Sequence, residues 1–284
     1  MSAALCYACD GAMRERRVGI ADLLVCGACG FAKIADGRHT ADYWARKDDV
    51  QHEIDERYWT ARLAVYRRAL LAVEQETGRG RLVDLGGGVG HFAECALGRG
   101  WDAYSVDVSP HAARAAAARV GEGRSLLAAP DSMNGSCDLV TLWCVVAHVP
   151  DPRAVLADAV RLLRPGGRLL MTTPNFLFQS RYARVAARLG RPLDFVASDH
   201  VLHFTPASID RVLADAGAGR RTFAYWGITT DCLLERRLAR VLVPCKRLWN
   251  WAAWGASRVG VPPLYSELHV QAVAGAAGAA GVVA

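Results

Sequence analysis

Residues 83–92 read Val-Asp-Leu-Gly-Gly-Gly-Val-Gly-His-Phe, a short apolar run followed by a glycine-rich loop and a helical stretch. Glycine suits a backbone that turns sharply and approaches a ligand closely, because it has no Cβ. Gly86, Gly88 and Gly90 give the spacing G-x-G-x-G, whereas dinucleotide sites read G-x-G-x-x-G. The loop contains no lysine, which excludes a phosphate-binding P-loop. The stretch therefore predicts a cofactor loop between a strand and a helix, whose first turn offers free N–H groups.

Two acidic residues accompany this loop. Asp84 precedes the first glycine by two positions, and Asp107 ends the next apolar run along the chain. A carboxylate at the end of the second strand of such a fold can accept hydrogen bonds from both hydroxyls of a ribose. The spacing therefore predicts a cofactor that contains a ribose.

The region around the loop alternates short apolar runs with helical stretches. The predicted strands are residues 81–85, 103–106, 125–128, 138–143 and 168–172, and the predicted helices are 89–99, 110–119 and 152–163. A βαβαβ rhythm of this kind implies a parallel sheet covered on both faces. Further along, residues 205–213 predict a capped helix with proline in its first turn, and residues 222–226 and 267–274 predict two more strands.

Taken together, the pattern D-x-G-x-G-x-G and the second acid resemble the class I S-adenosylmethionine-dependent methyltransferases. Later segments resemble the same family, in the right order, at residues 137–142, 148–152, 162–169 and 172–175. Residues 199–205 resemble the subgroup related to ubiquinone-biosynthesis O-methyltransferases. The resemblance covers roughly residues 58–274. It implies an α/β fold with a Rossmann-like, doubly wound sheet, and methyl transfer from S-adenosylmethionine; a Rossmann-type fold with another nucleotide is the alternative.

The resemblance also implies roles for particular residues. The three glycines of the loop would line the methionine and ribose portion of S-adenosylmethionine, and Asp107 would hold the ribose hydroxyls. Asp84 matches the acidic position that organises the loop near the sulfonium and amino group, and Trp143 would lie beside the cofactor. The adenine-contacting acid common in the family is replaced by an apolar stretch at residues 126–130. Adenine recognition is therefore expected to use backbone groups or Asp131.

Four cysteines near the N-terminus form a second signature. Cys6, Cys9, Cys26 and Cys29 follow the pattern CxxC-x16-CxxC. Two such pairs can place four thiolates around one zinc ion, and four protein ligands leave no open position, so the zinc is expected to be structural. It would stabilise a module too small to fold on an apolar core alone. The alternative is four unligated thiols.

The role of this zinc ribbon separates two classes of acceptor. Similar ribbons precede methyltransferases of small molecules, sugars and glycans, and also some ribosomal RNA methyltransferases. Residues 1–38 carry an excess of only one positive charge and, beyond Tyr7 and Phe31, few aromatic residues for stacking on bases. We therefore expect a small-molecule acceptor and no nucleic acid. A cofactor-binding regulator without catalysis is a third reading.

Three histidines are candidates for the chemistry. A base is needed only where the acceptor must lose a proton. His148 follows the fourth predicted strand, and its alternative role is to order the turn at residues 148–152. His200 and His203 lie beside Asp199 in the later segment, and their alternative role is to cap or pack that segment. The ubiquinone subgroup reads E-x-x-E-H where residues 144–148 read Cys-Val-Val-Ala-His, so both carboxylates are missing. A hard cation prefers oxygen ligands, so metal-assisted catechol methylation is not expected. Cys144 is one of five remaining cysteines without metal-ligand spacing, most of which we expect to be small core residues.

Composition and organisation complete the picture. The chain has 284 residues and a net charge of +6. Its hydrophobic content of 52% excludes a mainly disordered chain. We divide it into a zinc ribbon (1–38), a helical linker or cofactor lid (39–80), a methyltransferase domain (81–274) with a substrate cap within about 176–265, and a flexible tail (275–284). No signal peptide or spanning helix is visible, so a cytoplasmic protein is expected. The arginine- and tryptophan-rich segment 236–254 is read as a lid, a dimer surface or a peripheral membrane contact.

Overall fold

The computed structural model describes residues 5–35, 50–190, 200–226 and 267–275, without the side chains of residues 50–61 and 223–226. Its strands are β1 Met13–Val18, β2 Ala21–Cys26, β3 Ala32–Ile34, β4 Arg81–Leu85, β5 Asp102–Val106, β6 Ser125–Leu126, β7 Cys137–Trp143, β8 Leu163–Pro174, β9 Leu202–His203, β10 Ala218–Trp226 and β11 Glu267–Ala274. Its α-helices are α1 Val50–Thr77, α2 His91–Leu97, α3 Pro110–Val120, α4 Pro152–Leu162, α5 Phe176–Arg188 and α6 Pro206–Asp215.

The larger sheet carries the predicted Rossmann-like fold. Its seven strands lie in the order β10-β11-β8-β7-β4-β5-β6. The five strands from β8 to β6 are parallel, whereas β11 runs antiparallel to both of its neighbours. From β4 the chain first adds strands on one side and then continues at β7 on the other. This reversal creates a crevice at the carboxyl ends of β4 and β7, which is where open α/β sheets bind ligands.

The helices begin where local sequence chemistry places them. Ser109, Asp151 and Thr205 are the N-cap residues of α3, α4 and α6, and proline follows each of them in the first helical turn. The side-chain oxygen of each cap accepts a backbone N–H that would otherwise have no partner in the helix. Thr205 and Ser208 form a reciprocal capping box. The predicted starts of these three helices are confirmed.

The smaller sheet joins the N-terminal segment to the larger domain. Its order is β1-β2-β3-β9, and β9 comes from residues far along the chain. Ala32 pairs with His203 and Lys33 pairs with Leu202. The buried ring of Phe31 packs on that of Phe204, with ring centroids 5.1 Å apart. The four-cysteine segment, which the sequence presents as a separate module, therefore shares a sheet and an apolar core with the larger domain.

Some predictions fall outside the described residues. These are the part of the linker at 39–49, the start of the 199–205 segment including Asp199, the segment 236–254, and the tail after residue 275. Helix α1 ends at Thr77, as predicted, and β8 begins at Leu163, five residues earlier than predicted, because Leu163 already pairs with Cys137. Among the described helices, none combines the length and the apolar character needed to cross a membrane.

Candidate active site

The glycine loop connects β4 to α2 at the crevice. Gly86, Gly88 and Gly90 all have positive φ angles, of 68°, 54° and 86°. A Cβ on Gly86 would lie 2.5 Å from a methyl carbon of Val145, and one on Gly90 would lie 3.0 Å from the Cβ of Ala116. Two of the predicted glycines are therefore required by the packing of the protein itself, in addition to any approach of a ligand.

Asp107 fastens this loop to the end of β5. One carboxylate oxygen accepts the backbone N–H of Gly88 at 2.9 Å, and the other accepts the N–H of Ser109 at 2.9 Å. The structure therefore places Asp107 against the glycine loop, as the spacing in the sequence predicts. The ribose role of Asp107 stays a prediction.

Asp84 lies buried beneath the loop. Its side chain is only 2% exposed, and one carboxylate oxygen accepts a hydrogen bond from the Thr141 hydroxyl at 2.6 Å. Burial raises the pKa of Asp84 to about 7; the Thr141 hydrogen bond opposes this shift and the charge of Asp107 adds to it. Because a nearby cation favours the ionised form of a carboxyl group, this position suits a cationic ligand above it.

Trp143 belongs to a buried aromatic cluster. Its side chain is 5% exposed, and its ring lies 5.0 Å from those of Tyr66 on α1 and Phe92 on α2, between centroids. The ring therefore helps to hold α1 and α2 against the end of β7. That Trp143 also lies beside the cofactor stays a prediction.

Two of the three predicted catalytic histidines meet at the end of β7. The rings of His148 and His200 lie 4.6 Å apart, between centroids, with an angle of 31° between their planes. Cys144 joins them: its Sγ is 3.1 Å from Nε2 of His200 and 4.0 Å from Nε2 of His148. Sequence analysis missed Cys144, since the interpretation as a core residue ignored its place directly after a strand that points into the crevice. The residue is half-buried and lies within this cluster.

His203 occupies a different environment. It lies on β9 with no exposed surface, next to the ring of Phe176 at 5.5 Å between centroids. Burial, with a smaller effect from His200 and His148, lowers the pKa of His203 to about 3. A neutral, fully buried imidazole on a paired strand fits the alternative interpretation, in which His203 packs its segment. The catalytic role of His203 stays a prediction.

The four N-terminal cysteines converge as their spacing predicts. Cys6 Sγ lies 3.5 Å from Cys29 Sγ, and Cys9 Sγ lies 3.5 Å from the sulfurs of both Cys26 and Cys29. All four sulfurs lie within 4.8 Å of one another. Four sulfurs about 2.3 Å from one zinc ion would be about 3.8 Å apart in a tetrahedron. The donor set and its spacing therefore fit one zinc ion.

The two cysteine pairs form matching turns. The N–H of Asp10 donates to the carbonyl of Cys6 at 2.9 Å, and the N–H of Gly30 donates to the carbonyl of Cys26 at 3.0 Å. Asp10 and Gly30 both have positive φ angles. Gly11 has a different function, since a Cβ there would lie 3.2 Å from the sulfur of Cys9. Glycine is thus favoured at residue 30 by backbone conformation and at residue 11 by the room that the sulfurs need.

The turns are also fastened to the larger domain. The Thr205 hydroxyl at the start of α6 donates to the Cys29 carbonyl at 2.7 Å. On the first turn, the Asp10 carboxylate accepts a hydrogen bond from Arg153 of α4 at 3.0 Å. The cysteine cluster is therefore held by two helices of the larger domain.

Known proteins share both the sequence pattern and the fold. A family model described as a methyltransferase domain matches residues 56–218. The ubiquinone biosynthesis O-methyltransferase of Psychrobacter arcticus is 30% identical over 158 residues, which are 50% of this chain and 60% of the relative. The corresponding enzyme of Thiobacillus denitrificans is 31% identical over 147 residues, which are 48% of this chain and 63% of the relative. The chain thus spans about 60% of the length of these curated relatives.

Solved structures agree in fold at low sequence identity. A structure titled as a SAM-dependent methyltransferase, possible histamine N-methyltransferase, from Thermotoga maritima has a TM-score of 0.51 at 18% identity, covering 78% of this chain and 95% of that chain. A SAM-dependent methyltransferase from Archaeoglobus fulgidus also has a TM-score of 0.51, at 15% identity, covering 79% of this chain and all of that chain. With the family model matching more than half of its residues, the chain belongs to the methyltransferase domain family and has the Rossmann-like fold of S-adenosylmethionine-dependent methyltransferases.

Proposed function

We propose that the protein transfers a methyl group from S-adenosylmethionine to a small-molecule acceptor. The observation that carries this proposal is the arrangement at the crevice. Asp107 binds the N–H of Gly88, and the buried Asp84 lies beneath the same loop. An acid at the predicted ribose position and a buried acid that a cation would stabilise suit the two ends of S-adenosylmethionine, a sulfonium nucleoside with an amino group.

The reaction is an in-line displacement. The acceptor atom forms a bond to the methyl carbon while the bond from that carbon to the sulfonium sulfur breaks. The electron pair of the broken bond stays on sulfur, which leaves neutral S-adenosylhomocysteine. Since the cofactor supplies the driving force, the protein mainly aligns the two reactants and excludes water. An acceptor that must lose a proton would pass it to His148 or His200, whose rings meet at the end of β7.

The acceptor is proposed to be a sugar, a glycan end or a secondary metabolite, methylated on oxygen, nitrogen or carbon. The contacts of the N-terminal sheet support this class over RNA. Phe31 is buried against Phe204, and Tyr7 packs edge-on against Phe31 with Lys33 over its ring. These aromatic rings of the ribbon are engaged within the protein, whereas a ribbon that holds RNA by stacking needs free ones. One structural zinc in the four-cysteine cluster belongs to the same proposal.

The first experiment is a calorimetric titration with S-adenosylmethionine and, separately, with NAD and NADP. Micromolar binding of S-adenosylmethionine alone is expected. Binding of a nicotinamide cofactor instead would overturn the proposal, because it would mean that the glycine spacing was misread.

Acceptor candidates are then screened by the release of S-adenosylhomocysteine, with small molecules tested before RNA. Salt-dependent RNA binding accompanied by RNA methylation would favour the RNA reading. Cofactor binding without turnover on any acceptor class would favour the regulator.

A further inference from the structure

Three metal-ligating side chains converge at the end of β7, outside the four-cysteine cluster. They are Cys144, His148 and His200, and their ligand atoms all lie within 4.8 Å of one another. The first two are four residues apart, but His200 comes 56 residues after Cys144. The cluster therefore exists only in the folded chain.

The backbone holds these three donors in place. Cys144 has a positive φ angle of 62°, uncommon for a residue other than glycine. Its N–H donates to the side-chain oxygen of Thr172 at 3.0 Å. The carbonyl of Ala147 accepts the N–H groups of both Val201 and Leu202 at 3.0 Å, which ties the segment of His200 to the turn that carries His148. The backbone conformation of Cys144 and the hydrogen bonds between the two segments therefore fix the relative positions of the three donors.

We propose that Cys144, His148 and His200 bind one Zn²⁺ ion. Thiolate and imidazole are the ligands that zinc prefers, whereas magnesium and calcium require oxygen. The separations of 3.1 Å and 4.0 Å from the sulfur to the two ring nitrogens bracket the ligand spacing of a tetrahedral zinc site. The Cys144 thiol releases its proton to solvent when the ion binds. The described residues supply three ligands, and a tetrahedral ion held by these three alone keeps one position open.

That open position would serve the acceptor. The ion would also replace His148 and His200 in promoting loss of the acceptor's proton, because both rings would then be metal ligands. The role of these histidines as bases applies to the metal-free site. Val145, which follows Cys144, packs closely on Gly86. A Cβ on Gly86 would lie 2.5 Å from a methyl carbon of Val145. The cluster is therefore adjacent to the cofactor loop. Three protein ligands and one free position are typical of catalytic zinc, which suits an acceptor with an ionisable oxygen or sulfur. Where the ubiquinone subgroup reads E-x-x-E-H, this chain would thus use a soft metal. Zinc binding stands by itself, but the role toward the acceptor rests on the proposed function.

The test counts zinc ions in the whole chain after equilibration with Zn²⁺ and removal of the excess. Elemental analysis should find two per chain in the unmodified protein, one in each cluster. Cys144→Ala and His200→Ala should each lower the count to one. Cys95→Ala is the matched control, because that half-buried thiol lies on α2, outside both clusters, and it should keep the count at two. Far-UV circular dichroism checks that each variant is folded.

The outcomes separate this site from the proposed function. One zinc ion in the unmodified chain, unchanged in the two variants, would overturn the inference and leave a hydrogen-bonded Cys–His pair. A count of two that neither variant lowers would also overturn it. The count on the unmodified chain remains decisive if a variant fails to fold. S-adenosylmethionine is titrated into the same preparation of the unmodified chain. A chain that binds S-adenosylmethionine but holds no second zinc ion refutes only the zinc site. A chain that holds two zinc ions but does not bind S-adenosylmethionine refutes only the methyltransferase proposal.

Discussion

Replacing the buried acid under the cofactor loop should make the protein more stable, and more so at higher pH. The change is Asp84→Asn, which removes the charge but keeps an oxygen that can accept the hydrogen bond from Thr141. Burial raises the pKa of Asp84 from 3.8 to about 7. Its carboxyl group therefore binds its proton more tightly in the folded state than in the unfolded state. This contribution to stability is complete below pH 3.8 and is lost as the pH rises through about 7.

The magnitude follows from the same shift. One pKa unit corresponds to about 1.4 kcal/mol, so full ionisation of Asp84 costs the folded state up to ~4 kcal/mol. Most of this cost has accrued by about pH 6, because the carboxyl group of the unfolded chain is already ionised there. Between about pH 6 and about pH 8.5 the free energy of unfolding of Asp84→Asn should gain a further ~1.4 kcal/mol over that of the unmodified protein.

The assay is denaturant unfolding of both proteins across this pH range. The matched control is Asp102→Asn on the neighbouring strand. Partial burial acts against it, but hydrogen bonds from Arg124 and Arg81 keep the pKa of Asp102 below its usual range. Asp102 therefore stays ionised throughout, and its variant should differ from the unmodified protein by a constant amount. A pH-independent difference for Asp84→Asn as well, or a widening loss of stability, would refute the reasoning.

Three further predictions concern the loop, the ribose and the ribbon. Asp107→Ala should weaken S-adenosylmethionine binding roughly tenfold or more, the scale of a lost hydrogen bond to a charged group, as measured by calorimetry. Gly86→Ala should lower the free energy of unfolding by ~2–4 kcal/mol, because a side chain at this left-handed position is strained and overpacks against Val145. The loss should be ~1 kcal/mol smaller when Val145→Ala is already present, as a double-mutant cycle would measure. Cys26→Ser should remove the structural zinc and lower the melting temperature, as checked by elemental analysis and calorimetry.

Each of these has an outcome that contradicts it. Unchanged affinity in Asp107→Ala would remove that residue from the ribose role, and Asp158→Ala on the exposed face of α4 serves as its surface control. Equal costs of Gly86→Ala in both backgrounds would show that Val145 does not limit the loop. A Cys26→Ser variant whose zinc count and melting temperature equal those of the unmodified protein would contradict the four-cysteine site.

Much of the fold could be predicted because its signals are local. Strand β4, the glycine loop and the acid at residue 107 lie within about 25 residues of one another. The caps of α3, α4 and α6 each act within a single turn of helix. The two cysteine pairs are local signals as well, because the turn at each pair closes through a backbone hydrogen bond over four residues. These features depend on neighbouring residues, which a single sequence displays directly.

The remainder of the site depends on contacts between distant segments, which no local pattern encodes. Cys144 looks like a small core residue in sequence, and only packing brings it within 3.1 Å of His200. The pairing of β3 with β9 likewise joins segments about 170 residues apart and merges the ribbon with the larger domain. Periodicity, turn chemistry and spacing thus determined the cofactor loop, the parallel sheet and the four-cysteine cluster. Tertiary structure alone decided which side chains share the crevice, because burial and strand pairing act through space.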